Sequence, residues 1–281
     1  MCATALATAT LSFCATALGA QTVTRVVSDP GLVTWRVSDW VTATESIRQS
    51  DDRPPDAPGQ EPSVVLQADR LSFDGVDLLR ASPRVLRGIR GARISLVLQD
   101  PKYSLNPVMT VGEQIDEAAR IHLGLNAGAA RRKTLEMLEA VRIRDPERVV
   151  RLHPHEVSGG MGQRIMIAMM LVPEPDLLIA DEPTSALDVT VQMQVLTILD
   201  DLVTRRGMGL IFISHDLDLV ASFCDRVLVM YAGRVLEERS AGDLASATHP
   251  YTQGLLRSLP RIGEVRTELP TLDRDAAWLE G

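Results

Sequence analysis

Apolar residues along most of this chain fall into short runs and helical stripes separated by breakers. The run Arg93 to Leu98 predicts a short strand. Thr110 and Glu113 have capping-box spacing, and Ile115, Ala118, Ala119 and His122 follow at helical intervals. A second amphipathic helix is predicted from about Ala129 to Val141, with Leu135, Leu138 and Val141 on one face, and a third over Gln163 to Leu171. Pro173 and Pro175 then precede Leu177-Leu178-Ile179-Ala180, which ends in a carboxylate and predicts a strand buried on both faces of a parallel sheet. A long helix from about Val189 to Arg205 is expected to stop at Gly207 and Gly209. The buried strand Leu210–Ile213 and a helix over Leu217–Phe223 come next. Arg226–Tyr231, Ala232-Gly233 and Arg234–Glu237 read as a hairpin.

Strands alternating with helices predict an α/β layered domain. Within it, the stretch from about 103 to 172 is nearly all helical and reads as a subdomain. Residues 1–62 differ: they have no clear periodicity, and Asp51 to Pro62 has the composition of a linker. The expected organisation is an atypical segment over 1–62, a domain over 63–245 and a C-terminal tail over 246–281.

Composition narrows the function. Hydrophobic content of 45% and charged content of 23% are those of a soluble globular protein. A net charge of −8 with scattered arginines argues against nucleic acid as a partner, and against unaided attachment to an anionic membrane. Cys2, Cys14 and Cys224 share no metal-type spacing and read as ordinary thiols in a reducing compartment. No stretch reaches the roughly 18 uninterrupted apolar residues of a membrane-spanning helix. The opening segment ends Ala17-Leu18-Gly19-Ala20, like a secretory cleavage site, but has no Lys or Arg before its apolar part.

The chemistry concentrates in Leu177 to Asp188. A carboxylate at the carboxyl end of a buried parallel strand points into the crevice where such sheets bind ligands. Asp181 there is suited to Mg²⁺, which prefers one or two carboxylates plus phosphate oxygens. Glu182 is placed to orient, or take a proton from, a water attacking a γ-phosphate.

With Pro183-Thr184-Ser185-Ala186-Leu187-Asp188 attached, this segment resembles the Walker B motif and D-loop of ABC ATPases. Gln99-Asp100-Pro101 resembles the Q-loop, Ser158-Gly159-Gly160-Met161-Gly162-Gln163-Arg164 the signature motif, and His215 the H-loop histidine. Ser104-Leu105-Asn106-Pro107, Thr110 to Ile115, Glu117 and His249-Pro250-Tyr251-Thr252-Gln253 are similar to the oligopeptide, dipeptide and nickel importers. The resemblance covers roughly residues 70–260. It implies a P-loop NTPase-like ABC core using ATP and Mg²⁺. Asp181 and Gln99 would lie at the metal, Glu182, His215 and Gln99 at the reacting phosphate, and Ser158, Gly159, Gly160, Gln163 and Asp188 at the nucleotide. It further implies a peripheral subunit on the cytoplasmic face of the inner membrane. Its partners would be two transmembrane permease subunits, a second ATP-binding subunit and, indirectly, an extracellular solute-binding protein.

One element of the family pattern is absent. The phosphate-binding loop G-x-x-x-x-G-K-[ST] should open the first large helix upstream of the Q-loop. The chain has only two lysines: Lys102 is followed by Tyr103, and Lys133-Thr134 lacks the glycines. Trp35 and Trp40 lie in sequence without family resemblance and offer no assignable adenine stacker. Smaller departures are Val157, where Leu usually begins the signature, and Gly162, where these importers carry Arg. The tail ends without a cysteine, so no iron–sulfur site is expected. Three readings follow: an importer subunit energising peptide uptake with its own ATP site impaired, a non-catalytic subunit lending its signature to a partner ATPase, or a gene remnant.

Overall fold

Asp74-Gly75 sits between Ser72-Phe73 (β1) and Val76-Asp77 (β2), and both turn residues have positive φ, 50° and 74°. That is the geometry a two-residue hairpin demands, and Asp-Gly is the sequence that supplies it. The computed structural model describes residues 71–259 except 186, 232 and 233. Trp35, Trp40, Cys2, Cys14, the 1–62 segment, most of the 246–281 tail and the Ala232-Gly233 turn therefore lie outside the described residues, wholly or in part.

The contacts divide the chain into two units. One, Ser82–Ile213, is built on three parallel strands. It begins with α1 (Pro83–Ile89), capped by Ser82. The strands are β3 (Ile94–Val97), β4 (Leu177–Asp181) and β5 (Gly209–Ile213), paired in the order β3-β4-β5. Register is Ile94↔Leu177 and Leu177↔Gly209 at one end, Val97↔Ala180 and Asp181↔Ile213 at the other. β4 is the central strand, and Leu177, Leu178 and Ala180 are buried, as its continuous apolar run implies.

Five helices separate β3 from β4: α2 (Pro101–Ser104), α3 (Val111–Leu123), α4 (Ala127–Ala140), α5 (Pro146–Val149) and α6 (Gly159–Leu171). The Thr110–Glu113 capping box is formed in both directions, and its hydrogen bonds to the backbone and hydroxyl of Thr110 hold Glu113 below the usual carboxylate range. α3 buries Val111, Ile115 and Ala119, while Ala118 and His122 are half-buried. α4 starts two residues before the expected Ala129, because Asn126 caps it. Leu138 and Val141 are buried there, but Leu135 is only half-buried, and Met137 and Thr134 complete the inward face. α6 begins at Gly159 rather than Gln163. The Ser158 hydroxyl accepts from Met161 N at 3.4 Å and starts the helix four residues early. α6 is apolar on nearly every side and packs on α2, α3, α4 and β3. After β4, α7 (Val189–Arg206) ends at Gly207, whose φ of 60° closes it. Gly209 belongs to β5 instead, where an added Cβ would lie 3.2 Å from Leu177 Cδ1.

The other unit joins β1 and β2 with the residues after Ile213. There α8 (Leu217–Phe223) leads into β6 (Arg226–Tyr231), which pairs antiparallel with β7 (Arg234–Ser240). β7 runs three residues past the expected Glu237. Its ladder with β6 continues to Ser240 opposite Arg226, and the side chain of Glu237 is only 7% exposed. Its Oε1 accepts from Arg239 Nε at 2.9 Å and Thr248 N at 2.8 Å, and its Oε2 from His249 N at 3.3 Å. It thus ties the strand to the start of α9 (Pro250–Ser258). His249 Nδ1 accepts from Tyr251 N at 3.1 Å, and the Tyr251 ring is buried against Tyr231, with centroids 4.8 Å apart. The His-Pro-Tyr segment is therefore a helix start anchored on a buried carboxylate.

Burial disfavours the Glu237 charge, but the Thr252 hydroxyl, the Thr248 and His249 amides and Arg239 outweigh it and push its pKa down to about 2. A depressed carboxylate pKa stabilises the fold above its ordinary value near 4.5, and this contribution disappears as pH falls toward 2. Glu237→Ala is expected to cost on the order of 2 kcal/mol at pH 7. Urea unfolding across pH should show that cost shrinking steadily below about pH 4.5.

Candidate functional site

The carboxyl ends of β3 and β4 lie side by side because the strands are parallel and in register, so the residues just beyond them meet. Gln99, two positions past β3, donates from Nε2 to Glu182 Oε2 at 3.0 Å and to Ser185 Oγ at 3.1 Å. Ser185 Oγ in turn donates to the Glu182 carbonyl at 3.2 Å. The structure therefore brings together three of the sequence-derived site residues, Gln99, Asp181 and Glu182. It adds Ser185, which the sequence reading quoted within the D-loop but gave no role. A hydroxyl three residues after Glu182, on a turn closed by Ser185 N to Glu182 O at 3.3 Å, was the available signal.

Glu182 itself has φ of 42°, in the left-handed region that costs a non-glycine residue about 1 kcal/mol. Its amide donates to Ile213 O at 3.0 Å, so the last rung of the β4–β5 ladder holds it there. Buried Pro183 and Thr184 fix the chain beyond. Such strain persists where surrounding structure over-determines the conformation, and it aims the carboxylate away from the path β4 would otherwise follow.

Asp181 is the last residue of β4 and is half-buried. Burial, and next the charge of adjacent Glu182, raise its pKa above the ordinary carboxylate value. Two carboxylates one residue apart, one of them desolvated, fit a divalent cation that would offset both effects. Among the described residues no group of three or more His, Cys, Asp and Glu side chains converges.

The remaining candidates belong to other segments. Ser158 and Gly159 are exposed at the N-terminus of α6. Gly160 is half-buried against α7, where an added Cβ would sit 2.7 Å from Val191 Cγ1. Gln163 is only 2% exposed and faces the interior. Asp188 caps α7 through Val191 N at 3.0 Å. His215 is exposed and belongs to the other unit, next to Asp216, which caps α8. Lys133, one of the two lysines, donates to Glu174 at 2.7 Å and Glu136 at 3.2 Å. Burial works against its charge, but those bonds raise its pKa.

Two outcomes follow from this geometry. Gly160→Ala should destabilise the fold by about 1–3 kcal/mol through overpacking on the stiff Val191, and Val191→Ala in the same chain should recover most of the loss in chemical denaturation. A raised carboxylate pKa contributes stability below its unfolded value and loses it as pH rises. Asp181→Asn should therefore raise the melting temperature at pH 7, with the gain vanishing below about pH 3.8, as followed by circular dichroism.

Comparison with known proteins shows what this arrangement is similar to. Residues 60–185 match the model of the ABC transporter family. A probable peptide ABC transporter ATP-binding protein of Sinorhizobium fredii is 52% identical over 209 residues, 71% of this chain and 62% of the relative. The dipeptide transport ATP-binding protein DppD of Haemophilus influenzae is 48% identical, over 74% of this chain and 63% of the relative. The chain thus spans somewhat over three fifths of these relatives' length. Among solved structures, an ATP-binding cassette captured as a dimer in a post-hydrolysis state with ADP and Pi matches with a TM-score of 0.54 and 26% identity. The match covers 60% of this chain and 72% of that one. CbiO1 of Clostridium perfringens, part of an ABC transporter complex, matches with a TM-score of 0.55 and 28% identity, over 67% and 72%. The fold is that of the ABC ATPases, and over roughly three fifths of their length the chain is similar to ATP-binding proteins of peptide and dipeptide transport.

Proposed function

We propose that this chain is the ATP-binding subunit of an ABC importer that energises uptake of oligopeptides or dipeptides, and that its own ATP site is impaired. The observation that carries the reading is the hydrogen bond from Gln99 Nε2 to Glu182 Oε2, which joins the Q-loop to the Walker B carboxylates. In this reading Asp181 and Gln99 hold Mg²⁺ bound with ATP, and that ion neutralises phosphate charge. Glu182 orients the attacking water, while Gln99 and Ser185 keep the carboxylate in place. His215 contributes from its own segment after β5. The relatives are peptide and dipeptide transport ATP-binding proteins, which supports the solute class and a peripheral place on the cytoplasmic face of the membrane, held by two permease subunits. An extracellular solute-binding protein would deliver the peptide.

The impairment rests on the lysines. A phosphate cradle needs a lysine free to reach β- and γ-oxygens. Lys133 is committed to Glu174 and Glu136, and Lys102 follows the Q-loop on α2. No residue described here supplies the cradle, so Asp181 and Glu182 face a nucleotide with few hands on its phosphates. The exposed start of α6 keeps its own value, since Ser158 and Gly159 are exposed at the positive end of a helix dipole. There a second ATP-binding subunit with an intact loop would present its nucleotide.

With Mg²⁺, the purified chain alone should bind ATP at least about 100-fold more weakly than an intact importer ATPase, as the loss of several charge-assisted contacts implies. Mixed with such a partner, it should raise the partner's hydrolysis, and Ser158→Glu should abolish that gain. Micromolar binding by the chain alone would refute the impairment. Absence of any stimulation would refute its role as half of an ATPase pair.

A further inference from the structure

A carboxamide side chain has two unlike ends: its oxygen accepts hydrogen bonds or ligates a cation, and its nitrogen only donates. Which end faces a site decides what the residue can do there. Gln99 is exposed, so burial does not fix the choice. Its backbone is nonetheless held on both sides. β3 ends two residues before it, and Asp100 caps α2 through Lys102 N at 2.9 Å. Pro101 then lies against α6, where an added Cβ on Gly162 would sit 3.5 Å from Pro101 Cγ. What remains open is the turn of the Gln99 side chain itself.

Ser185 settles that turn. A hydroxyl carries one hydrogen, and that of Ser185 goes to the Glu182 carbonyl at 3.2 Å. Toward Gln99 the same oxygen can only accept, and it takes Nε2 at 3.1 Å. The Glu182 carboxylate is also an acceptor, 3.0 Å from the same nitrogen. Both neighbours therefore demand Nε2, whose pair of hydrogens serves one each, and a turned-over amide would set Oε1 against two acceptors. Oε1 is left on the other arm of the carboxamide, and no hydrogen bond among the described residues ends on it. Ser185 is tied to the main chain of Glu182, through its hydroxyl and through its own amide at 3.3 Å, and buried Thr184 precedes it. The carboxylate can thus turn toward a water while the hydroxyl stays on Gln99. We propose that Ser185 is a positioning residue, whose hydroxyl sets the facing of the Gln99 carboxamide so that Oε1 is the end available to a divalent cation at Asp181. The cation's place rests on the reading of Asp181 and Gln99 given above; the facing of the amide does not.

The test is nitrogen-15 NMR of the full chain, with the Gln99 side-chain amide assigned by its loss in Gln99→Leu. Its protons should exchange with water at least about tenfold more slowly than those of a free carboxamide. Ser185→Ala should remove most of that protection, and Ser185→Thr, which keeps the hydroxyl, should retain it. Because Ser185 is exposed, melting temperatures of the three chains should agree within about 2 °C. The second arm uses Mn²⁺ as the probe, its affinity read from water proton relaxation and only the binding that Asp181→Asn removes being counted. Groups that orient a ligand typically matter by an order of magnitude, so Ser185→Ala should weaken Mn²⁺ about tenfold and Ser185→Thr restore it. Unchanged amide exchange in Ser185→Ala, loss that Ser185→Thr does not restore, or equal Mn²⁺ affinity in the native and Ser185→Ala chains overturns the proposal. The expected amide response with no Mn²⁺ bound by any chain upholds the facing of Gln99 and refutes the placement of the cation at Asp181.

Discussion

The parallel register of three short strands governs everything chemical in the Ser82–Ile213 unit. Val97 lies opposite Ala180, and Asp181 opposite Ile213. From these pairings it follows that Gln99 can reach Glu182 and that Asp181 ends its strand half out of the core. Side chains alternate along a strand, so a slip of one residue between β3 and β4 would turn Asp181 to the opposite face and separate the glutamine from its partner. Nothing else in the unit could compensate. The helices between β3 and β4 are held by their own caps and apolar faces, and they place α6, not the carboxylates.

The parts of the fold that could be read in advance are those with strong local causes. The Leu177–Ala180 run gave away a central parallel strand, because only burial on both faces tolerates such a run. Thr110 with Glu113 marked the start of α3, and Gly207 the end of α7. Misplaced boundaries trace to single side chains: Ser158 and Asn126 start their helices earlier than apolar periodicity alone implies. The β1–β2 hairpin was overlooked although Asp74-Gly75 is a strong turn signal, since its strands are only two residues long. Within the site, the meeting of Gln99 with Glu182 was foreseeable from their places after two neighbouring parallel strands. Ser185 as a bridge was not, because it depends on how the turn after Glu182 folds back. The interior position of Gln163 likewise depends on the rotation of α6 against its neighbours, which the motif does not encode.

The candidate site divides between residues under strain and residues at rest. Glu182 is held in a left-handed conformation by a ladder bond to Ile213, and Gln99 and Ser185 anchor its side chain and carbonyl. Asp181, by contrast, is in ordinary strand geometry, and its cost is electrostatic. A fold that retains both costs in its central strand gives up stability at the place where ion and phosphate chemistry would recover it. Glu237 shows the opposite logic. Its buried charge is surrounded by donors, and it binds a strand to a helix start in a part of the sequence that resemblance alone would have marked as functional.

The scarcity of lysine has a practical side. One of the two ammonium groups is clamped between Glu174 and Glu136, while Lys102 is exposed one residue after Pro101, next to the segment that carries Gln99. An amine-reactive fluorophore would therefore mark a single side chain, apart from any α-amino group. The molecule comes with a built-in reporter position beside the loop whose Gln99 reaches Glu182 and Ser185.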